Sequence, residues 1–143
     1  MSKIRKAQHF LCLLLALLII SCAKDANIVL TTPPMVDSAA VVKYTGMFSN
    51  GPYGTVKGEV QVLMQDSVVA LSLKDFSASS GPDLHVYLSR EIKPVTFYDL
   101  GSLRSTSGDQ LYTIPANTDF TEYKYALIHC KAYNHLFGSA LLH

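Results

Sequence analysis

Short apolar runs separated by turn-forming residues make up the chain from Val41 onward. Most runs alternate apolar and polar positions, which is the period of a strand with one buried face. Eight strands are predicted, at Val41–Phe48, Val56–Gln65, Val68–Phe76, Leu84–Ser89, Val95–Leu100, Leu111–Ile114, Tyr123–Ala132 and Ser139–Leu142. No segment keeps a helical period of about 3.6 residues over three turns. The pattern therefore predicts an all-β domain, either an antiparallel β-sandwich or a barrel-like sheet.

Clusters of Gly, Pro, Asn, Asp and Ser mark the turns between these strands. They are Ser49-Asn50-Gly51-Pro52, Ser79-Ser80-Gly81-Pro82-Asp83, Ser107-Gly108-Asp109 and Pro115-Ala116-Asn117. Asn134–Gly138 is expected to form one helical or irregular turn. Four aspartates, Asp75, Asp83, Asp99 and Asp109, fall at strand ends or turns. Aspartates there usually accept hydrogen bonds from local backbone N–H groups. No loop has the ligand spacing of an EF-hand calcium site.

Alternation assigns the candidate chemistry to strand faces. In the strand Leu84–Ser89, His85 and Tyr87 point away from the face that carries the three apolar side chains. In the strand Tyr123–Ala132, Cys130 shares a face with small and aliphatic residues, and His129 lies on the other face. That strand is apolar on both sides, so we expect it to be central. If the two strands pair, four side chains cluster on one face: His85, Tyr87, Tyr125 and His129.

The first residues have the three parts of an export signal. A positive start is followed by an apolar run of 11 residues, Phe10–Ile20, and then by Ser21 and Cys22. The run is shorter than the roughly 20 residues that a membrane-spanning helix needs. The ending Ile19-Ile20-Ser21-Cys22 resembles the bacterial lipobox. Residues 1–21 are therefore predicted to be a lipoprotein signal peptide and Cys22 the lipidated residue, with an ordinary signal peptide as the alternative.

This prediction implies a cellular location for the mature chain. Acyl groups such as palmitate on Cys22 would hold it on the bacterial cell membrane or outer membrane, facing the periplasm or the cell exterior. Residues 22–39, which include Pro33-Pro34, are predicted to form a flexible tether, and residues 40–143 are predicted to form the domain. Cleavage removes three of the 12 basic residues and none of the 11 acidic ones, which leaves a net charge of −2. We therefore expect no nucleic-acid partner.

Processing also changes the count of cysteines. Of the three cysteines, Cys12 leaves with the signal and Cys22 is taken by lipid, so Cys130 is the single free thiol. An intrachain disulfide is therefore not available to the mature domain.

Several motifs in order along the domain are similar to those of the DM13 family. The most specific is Gly81-Pro82-Asp83-Leu84-His85-Val86-Tyr87-Leu88-Ser89. Others are Gly46-Met47-Phe48, Gly54-Thr55-Val56-Lys57-Gly58, Leu73-Lys74-Asp75-Phe76, Asp99-Leu100-Gly101, Gly108-Asp109-Gln110 and Phe137-Gly138-Ser139-Ala140. The resemblance covers about Val41 to Leu142. It implies a β-rich extracytoplasmic module with a proposed role in electron transfer.

That role rests on one cysteine of the family, which maps onto Cys130 as a redox thiol or as a ligand for a group such as haem. The chain departs from the family just before it, because His129 stands where an aromatic residue, often Trp, is usual. The residues alone leave the alternative open that Cys130 is an inert core thiol, since its face of the strand is apolar. Cys130, His85 and His129 are the candidate cofactor-binding residues. The histidines lack the compact spacing of a zinc site, so no metal is predicted.

Two functions follow from these observations. The first is a membrane-anchored domain that transfers electrons or senses redox state through Cys130, with an unknown redox partner in the cell envelope. The alternative is a non-catalytic binding or scaffold module of a cell-envelope complex. An independent enzyme is less favoured, because the chain has no G-x-S-x-G elbow and no C-x-x-C pair.

Overall fold

A computed structural model describes residues 35–143 and contains only strands, turns and loops in that range. The strands are β1 (Val41–Met47), β2 (Ser49–Asn50), β3 (Val56–Gln65), β4 (Val68–Ala78), β5 (Leu84–Ser89), β6 (Phe97–Ser102), β7 (Gln110–Thr113), β8 (Tyr125–Cys130) and β9 (His135–Leu141). They form a four-stranded sheet in the order β1-β3-β4-β7 and a five-stranded sheet in the order β2-β9-β8-β5-β6. All pairs are antiparallel, and the sheets do not close into a barrel. The prediction of an all-β sandwich is confirmed.

The core lies between the two sheets and follows the predicted alternation. β5 and β8 are neighbours in the five-stranded sheet, and β8 is central, as expected. Fully buried aliphatic side chains fill the space from both sides, among them Val60, Val62, Leu71 and Leu73 from one sheet and Val86, Leu88, Ala126 and Ile128 from the other. Burial of such side chains contributes about 1.5–3 kcal/mol each and is the main source of stability for this fold.

One stretch of chain belongs to both sheets. β1 pairs with β3, while β2, which begins two residues later, pairs with β9. Thr45 and His143 also exchange two backbone hydrogen bonds of 3.1 and 3.0 Å. The chain from β1 to β2 therefore joins one edge of each sheet. Such a corner holds the two layers in a fixed relation.

Two local predictions were wrong. Ser49-Asn50 was expected in a turn but forms β2, and Asn134–Gly138 was expected to be a turn but contains the start of β9. In both cases backbone pairing with a neighbouring strand outweighs local turn preference. The turn before β9 ends instead at Asn134, whose φ of +53° lies in the left-handed region that asparagine tolerates.

The predicted signal peptide, the lipidation at Cys22 and most of the tether lie outside the described residues. The last tether residues are described, and Asp37 forms two hydrogen bonds with the Gln65 side chain, of 3.0 and 2.8 Å. Within residues 35–143, no helix is long and apolar enough to cross a membrane.

Candidate functional site

β5 and β8 pair side by side, and this pairing builds the candidate site on the outer face of the five-stranded sheet. The register sets His85 opposite His129, Tyr87 opposite Leu127 and Ser89 opposite Tyr125. His85, Tyr87 and His129 are thus brought together as the sequence predicts. Tyr125 lies on the same face but four residues along β8 from His129, near the other end of the sheet. We call His85, Tyr87, Phe97, Asp99 and His129 the histidine face.

His85 is held between two carboxylates. Its Nδ1 lies 2.8 Å from Asp99 Oδ1, and its Nε2 lies 3.1 Å from Asp83 Oδ1. The side chain is 11% exposed, so protein groups rather than water satisfy most of its hydrogen bonding. Both ring nitrogens therefore lie within hydrogen-bond distance of a carboxylate oxygen, which fixes the orientation of the ring.

Asp99 collects hydrogen bonds from three directions. Besides His85, Lys131 Nζ lies 3.1 Å from its Oδ2, and the Gly101 backbone N–H donates to Oδ1 at 3.0 Å. Burial opposes ionisation of Asp99, but the hydrogen bonds from His85 and Lys131 outweigh it, so the pKa of Asp99 lies below its ordinary value. The site thus contains a carboxylate that stays charged and positions His85.

Asp99, His85 and Ser102 stand in the order of a hydrolase triad, because Ser102 Oγ lies 3.3 Å from His85 Nε2. Asp83 Oδ1 lies closer to the same nitrogen, at 3.1 Å. A general base needs a lone pair aimed at the nucleophile, and here a carboxylate occupies the nearer position. The geometry therefore favours positioning of His85 over activation of Ser102.

Tyr87 is the centre of an aromatic stack. Its ring centroid lies 5.1 Å from that of His129 and 4.4 Å from that of Phe97, with interplanar angles of 22° and 23°. Burial, together with the charges of Asp99 and Asp83, raises the pKa of Tyr87. The phenol therefore stays neutral, and the ring acts as a packing surface for the imidazole of His129.

His129 is buried without a hydrogen-bond partner for Nδ1. It is 3% exposed although it lies on the face opposite the core. Burial, and to a smaller extent the positive charge of nearby His135, lowers the pKa of His129. His129 is therefore neutral in the folded domain at neutral pH.

Acidification is expected to destabilise the domain through His129. Because the pKa of His129 is lower in the folded than in the unfolded chain, the unfolded state binds more protons below about pH 6.5. The contribution of neutral His129 to stability is complete above that pH and is lost as the pH falls toward the pKa of His129 in the folded state. Urea unfolding between pH 7.5 and 5 measures the loss. His129→Leu should remove part of this dependence, and an unchanged pH profile would contradict the assignment.

Cys130 lies on the core side of the same strand. It is 1% exposed and belongs to the main hydrophobic core between the sheets. It is the last residue of β8, and its neighbours across the sheet are Leu84 and His135. Lys131 and His129, adjacent in sequence, project away from it as alternation predicts. The sulfur therefore has an apolar setting near one end of the sandwich.

A model of the protein family described as Electron transfer DM13 matches residues 47–142, which is more than half of the 143 residues. The chain belongs to the DM13 family. Membership in DM13 indicates a role related to electron transfer, and it confirms the resemblance drawn from the motifs. No curated protein and no solved structure matches the chain.

A redox group such as haem, which an electron-transfer role of DM13 suggests, does not fit at Cys130. The sulfur is enclosed by core side chains that are themselves buried. A cavity of about 510 Å³ beside that end is lined by residues 81–84 and 102–106, not by Cys130. His85 and His129 lie on the opposite face of the sheet, so neither joins Cys130 around one group. Within residues 35–143, no three His, Cys, Asp or Glu side chains are grouped to hold a metal ion.

Sequence reasoning missed Phe97 and Asp99 of the histidine face, and the neighbouring Lys131. Phe97 stacks on Tyr87, Asp99 bonds His85, and Lys131 bonds Asp99. Asp99 was expected to stabilise a turn, and it does accept the Gly101 N–H, but its bonds to His85 and Lys131 depend on strand pairing. The only signal in the sequence was that Asp99 and His85 both belong to motifs of the family.

Proposed function

We propose that this chain is a lipid-anchored DM13 domain on the outer side of a bacterial membrane. In this proposal it serves as a docking module in an electron-transfer assembly of the cell envelope, which we call the scaffold role. In this proposal Cys130 packs the core and is not the electron carrier. One observation carries it, namely that Cys130 is 1% exposed among aliphatic and aromatic core side chains. Anchoring rests on the N-terminal pattern and Cys22.

The physical reason is the chemistry of thiols. A thiol exchanges electrons or disulfides mainly as the thiolate, which needs solvent access and nearby positive charge. The closest cationic side chain in sequence, Lys131, points to the other face and binds Asp99. A buried free cysteine in apolar surroundings behaves as a small hydrophobic residue. The geometry therefore favours the scaffold role over a redox thiol.

A second candidate, redox chemistry of Cys130 itself, is favoured by its place at the end of β8. Its neighbour Leu84 is the first residue of β5 and also lines the 510 Å³ cavity. Directly opposed side chains in a sheet have Cβ atoms about 4.5–5.5 Å apart. Leu84 therefore adjoins both Cys130 and a surface cavity, and displacement of its side chain would open a route to a partner.

Thiol labelling distinguishes the two candidates. In the mature chain with Cys22→Ser, Cys130 is the only thiol, and we expect an aromatic disulfide reagent to label it only as fast as the whole domain unfolds. Cys130→Ala should fold and remain colourless, at a cost of about 1 kcal/mol. Labelling that outpaces global unfolding, or a coloured protein that bleaches on Cys130→Ala, would overturn the scaffold role.

A matched pair of variants tests the route past Leu84. Leu84→Ala and Leu88→Ala truncate the same side chain on the same face of β5, at the two ends of the strand. Each labelling rate is compared after correction for the measured free energy of unfolding. Under the scaffold proposal the corrected rates agree. A corrected rate at least tenfold higher for Leu84→Ala would establish a local opening at Cys130 and support the redox candidate.

A further inference from the structure

Exposed apolar side chains collect at one end of the sandwich. Five of them form what we call the end patch: Met47, Ile92, Val95, Phe97 and Leu141, which are 38% to 78% exposed. Scattered single apolar residues are normal on a protein surface, whereas a contiguous group marks a contact surface. The end patch therefore needs a partner.

Strand register places these residues together. Ser89 pairs with Phe97 on one side and Tyr125 on the other, and Tyr125 pairs with Leu141, so a single row crosses four strands. The loop 90–96, which carries Ile92 and Val95, leaves the sheet at this row. A shallow groove of about 480 Å³ lies beside it, lined by Met47, Ser49, Ile92, Tyr125, Ser139, Leu141 and His143.

The N-terminal tether reaches the domain at the same end. Thr45 of β1 is bonded to His143, two residues beyond Leu141, and β1 runs antiparallel to β9 there. Val41, the first residue of β1, therefore lies farther out at this end. Val41, Val42 and Met35 are exposed apolar side chains as well. The patch and the first described residues of the chain are thus on one side of the domain.

We propose that the end patch lies on the lipid bilayer to which Cys22 anchors the chain, with Ile92 and Val95 inserted at the interface. This inference rests on the anchoring proposed above. Met35 lies thirteen positions after Cys22, a span of at most about 45 Å, so the anchor keeps the domain close to the membrane. Tethering raises the effective concentration of the surface, and a small patch then suffices for contact.

The charges near the patch suit neutral lipid. Arg90 and Glu122 form an ion pair, and the remaining loop charges, Glu91 and Lys93, are of opposite sign. Lys93 stands between Ile92 and Val95 and can extend its ammonium to the headgroups while its stem lies on apolar surface. A bilayer of phosphatidylcholine is therefore the natural probe. This orientation points the other end of the sandwich, with His85, Lys131 and the 510 Å³ cavity, away from the membrane.

The absence of tryptophan from the chain makes the test direct. In the full lipidated protein reconstituted into phosphatidylcholine vesicles, Val95→Trp provides a single reporter in the patch. Tyr133→Trp is the matched control, because Tyr133 is also exposed but lies in the turn before β9 at the opposite end. We expect spin-labelled lipid to quench Val95→Trp and leave Tyr133→Trp unquenched. Ile92→Asp should lower quenching of the Val95→Trp reporter severalfold.

Flotation of the vesicles separates the possible failures. Protein that floats with vesicles but shows equal quenching at both positions would overturn the end patch as a bilayer surface and leave the anchoring intact. Protein that does not float would overturn the anchoring and this inference with it. A blue shift of Val95→Trp that needs no vesicles and grows with protein concentration would assign the patch to a second copy of the chain and overturn the lipid proposal.

Discussion

Replacement of Gly58 by alanine is expected to lower the free energy of unfolding by about 3–5 kcal/mol. Gly58 has a φ of +116°, where an L side chain is strained, and a Cβ built there would lie 2.6 Å from the Lys74 carbonyl oxygen. It sits at the bulge where the β3–β4 register shifts, and its own carbonyl accepts the Phe48 N–H at 3.0 Å. The substitution therefore strains the corner between the sheets.

Gly101 provides a control with the same backbone angle. Its φ is also +116°, but a Cβ there meets no atom within 4 Å. Gly101→Ala should cost only the conformational strain, about 1–2 kcal/mol. Urea unfolding of both variants measures the difference, which reports the clash with the β4 backbone. Equal losses in the two variants would show that backbone strain alone accounts for both glycines.

Alternation along single strands was enough to predict the faces of the fold. The opposite faces of Cys130 and His129 follow from the two-residue period of β8 and were predicted correctly, whereas the sequence left open whether Cys130 is buried in the core, which the structure shows. The cluster of His85, Tyr87 and His129 needed one further condition, the pairing of β5 with β8, which two strongly apolar strands make favourable.

Contacts that depend on register or on the approach of distant segments were not predictable. The bond from His85 to Asp99 crosses from β5 to β6 at a register shift between His85 and Tyr87. A shift of one residue changes which side chains meet, and the sequence does not mark its place. β2 is likewise only two residues long, and it exists because β9 lies beside it.

The two ends of the sandwich have different chemistry, and this difference organises the proposals. One end carries exposed apolar side chains and receives the tether, while the other carries His85, Asp99 and Lys131 beside a cavity. Under the function proposed above, a domain that meets both a membrane and an electron-transfer partner would need two such surfaces. The buried Cys130 lies at the end that carries His85, so a labelling experiment there also tests whether docking would reach the core.

Tyr87→Ala is expected to lower the free energy of unfolding by about 3–5 kcal/mol, as large aromatic truncations do. Tyr87 is 3% exposed and stacks on both His129 and Phe97, so its loss leaves two rings without a packing partner. Tyr87→Phe is the matched control, because it keeps the ring and removes only the hydroxyl. It should stay within about 1 kcal/mol of the natural chain. Chemical denaturation measures both values.

Tyr87→Ala is also expected to change the titration of His129. This second effect separates a specific role of Tyr87 from general loss of packing. Burial is the main cause of the lowered pKa of His129, so removal of the covering ring should raise that pKa toward its ordinary value. Stability between pH 7.5 and 5 should then fall less steeply than in the natural chain, because folded and unfolded states bind protons more equally. NMR titration of the His129 ring measures the pKa, with Tyr87→Leu as a better-folded substitute where Tyr87→Ala is too unstable. An unchanged His129 pKa in a folded variant would mean that other side chains, and not Tyr87, keep water from the imidazole.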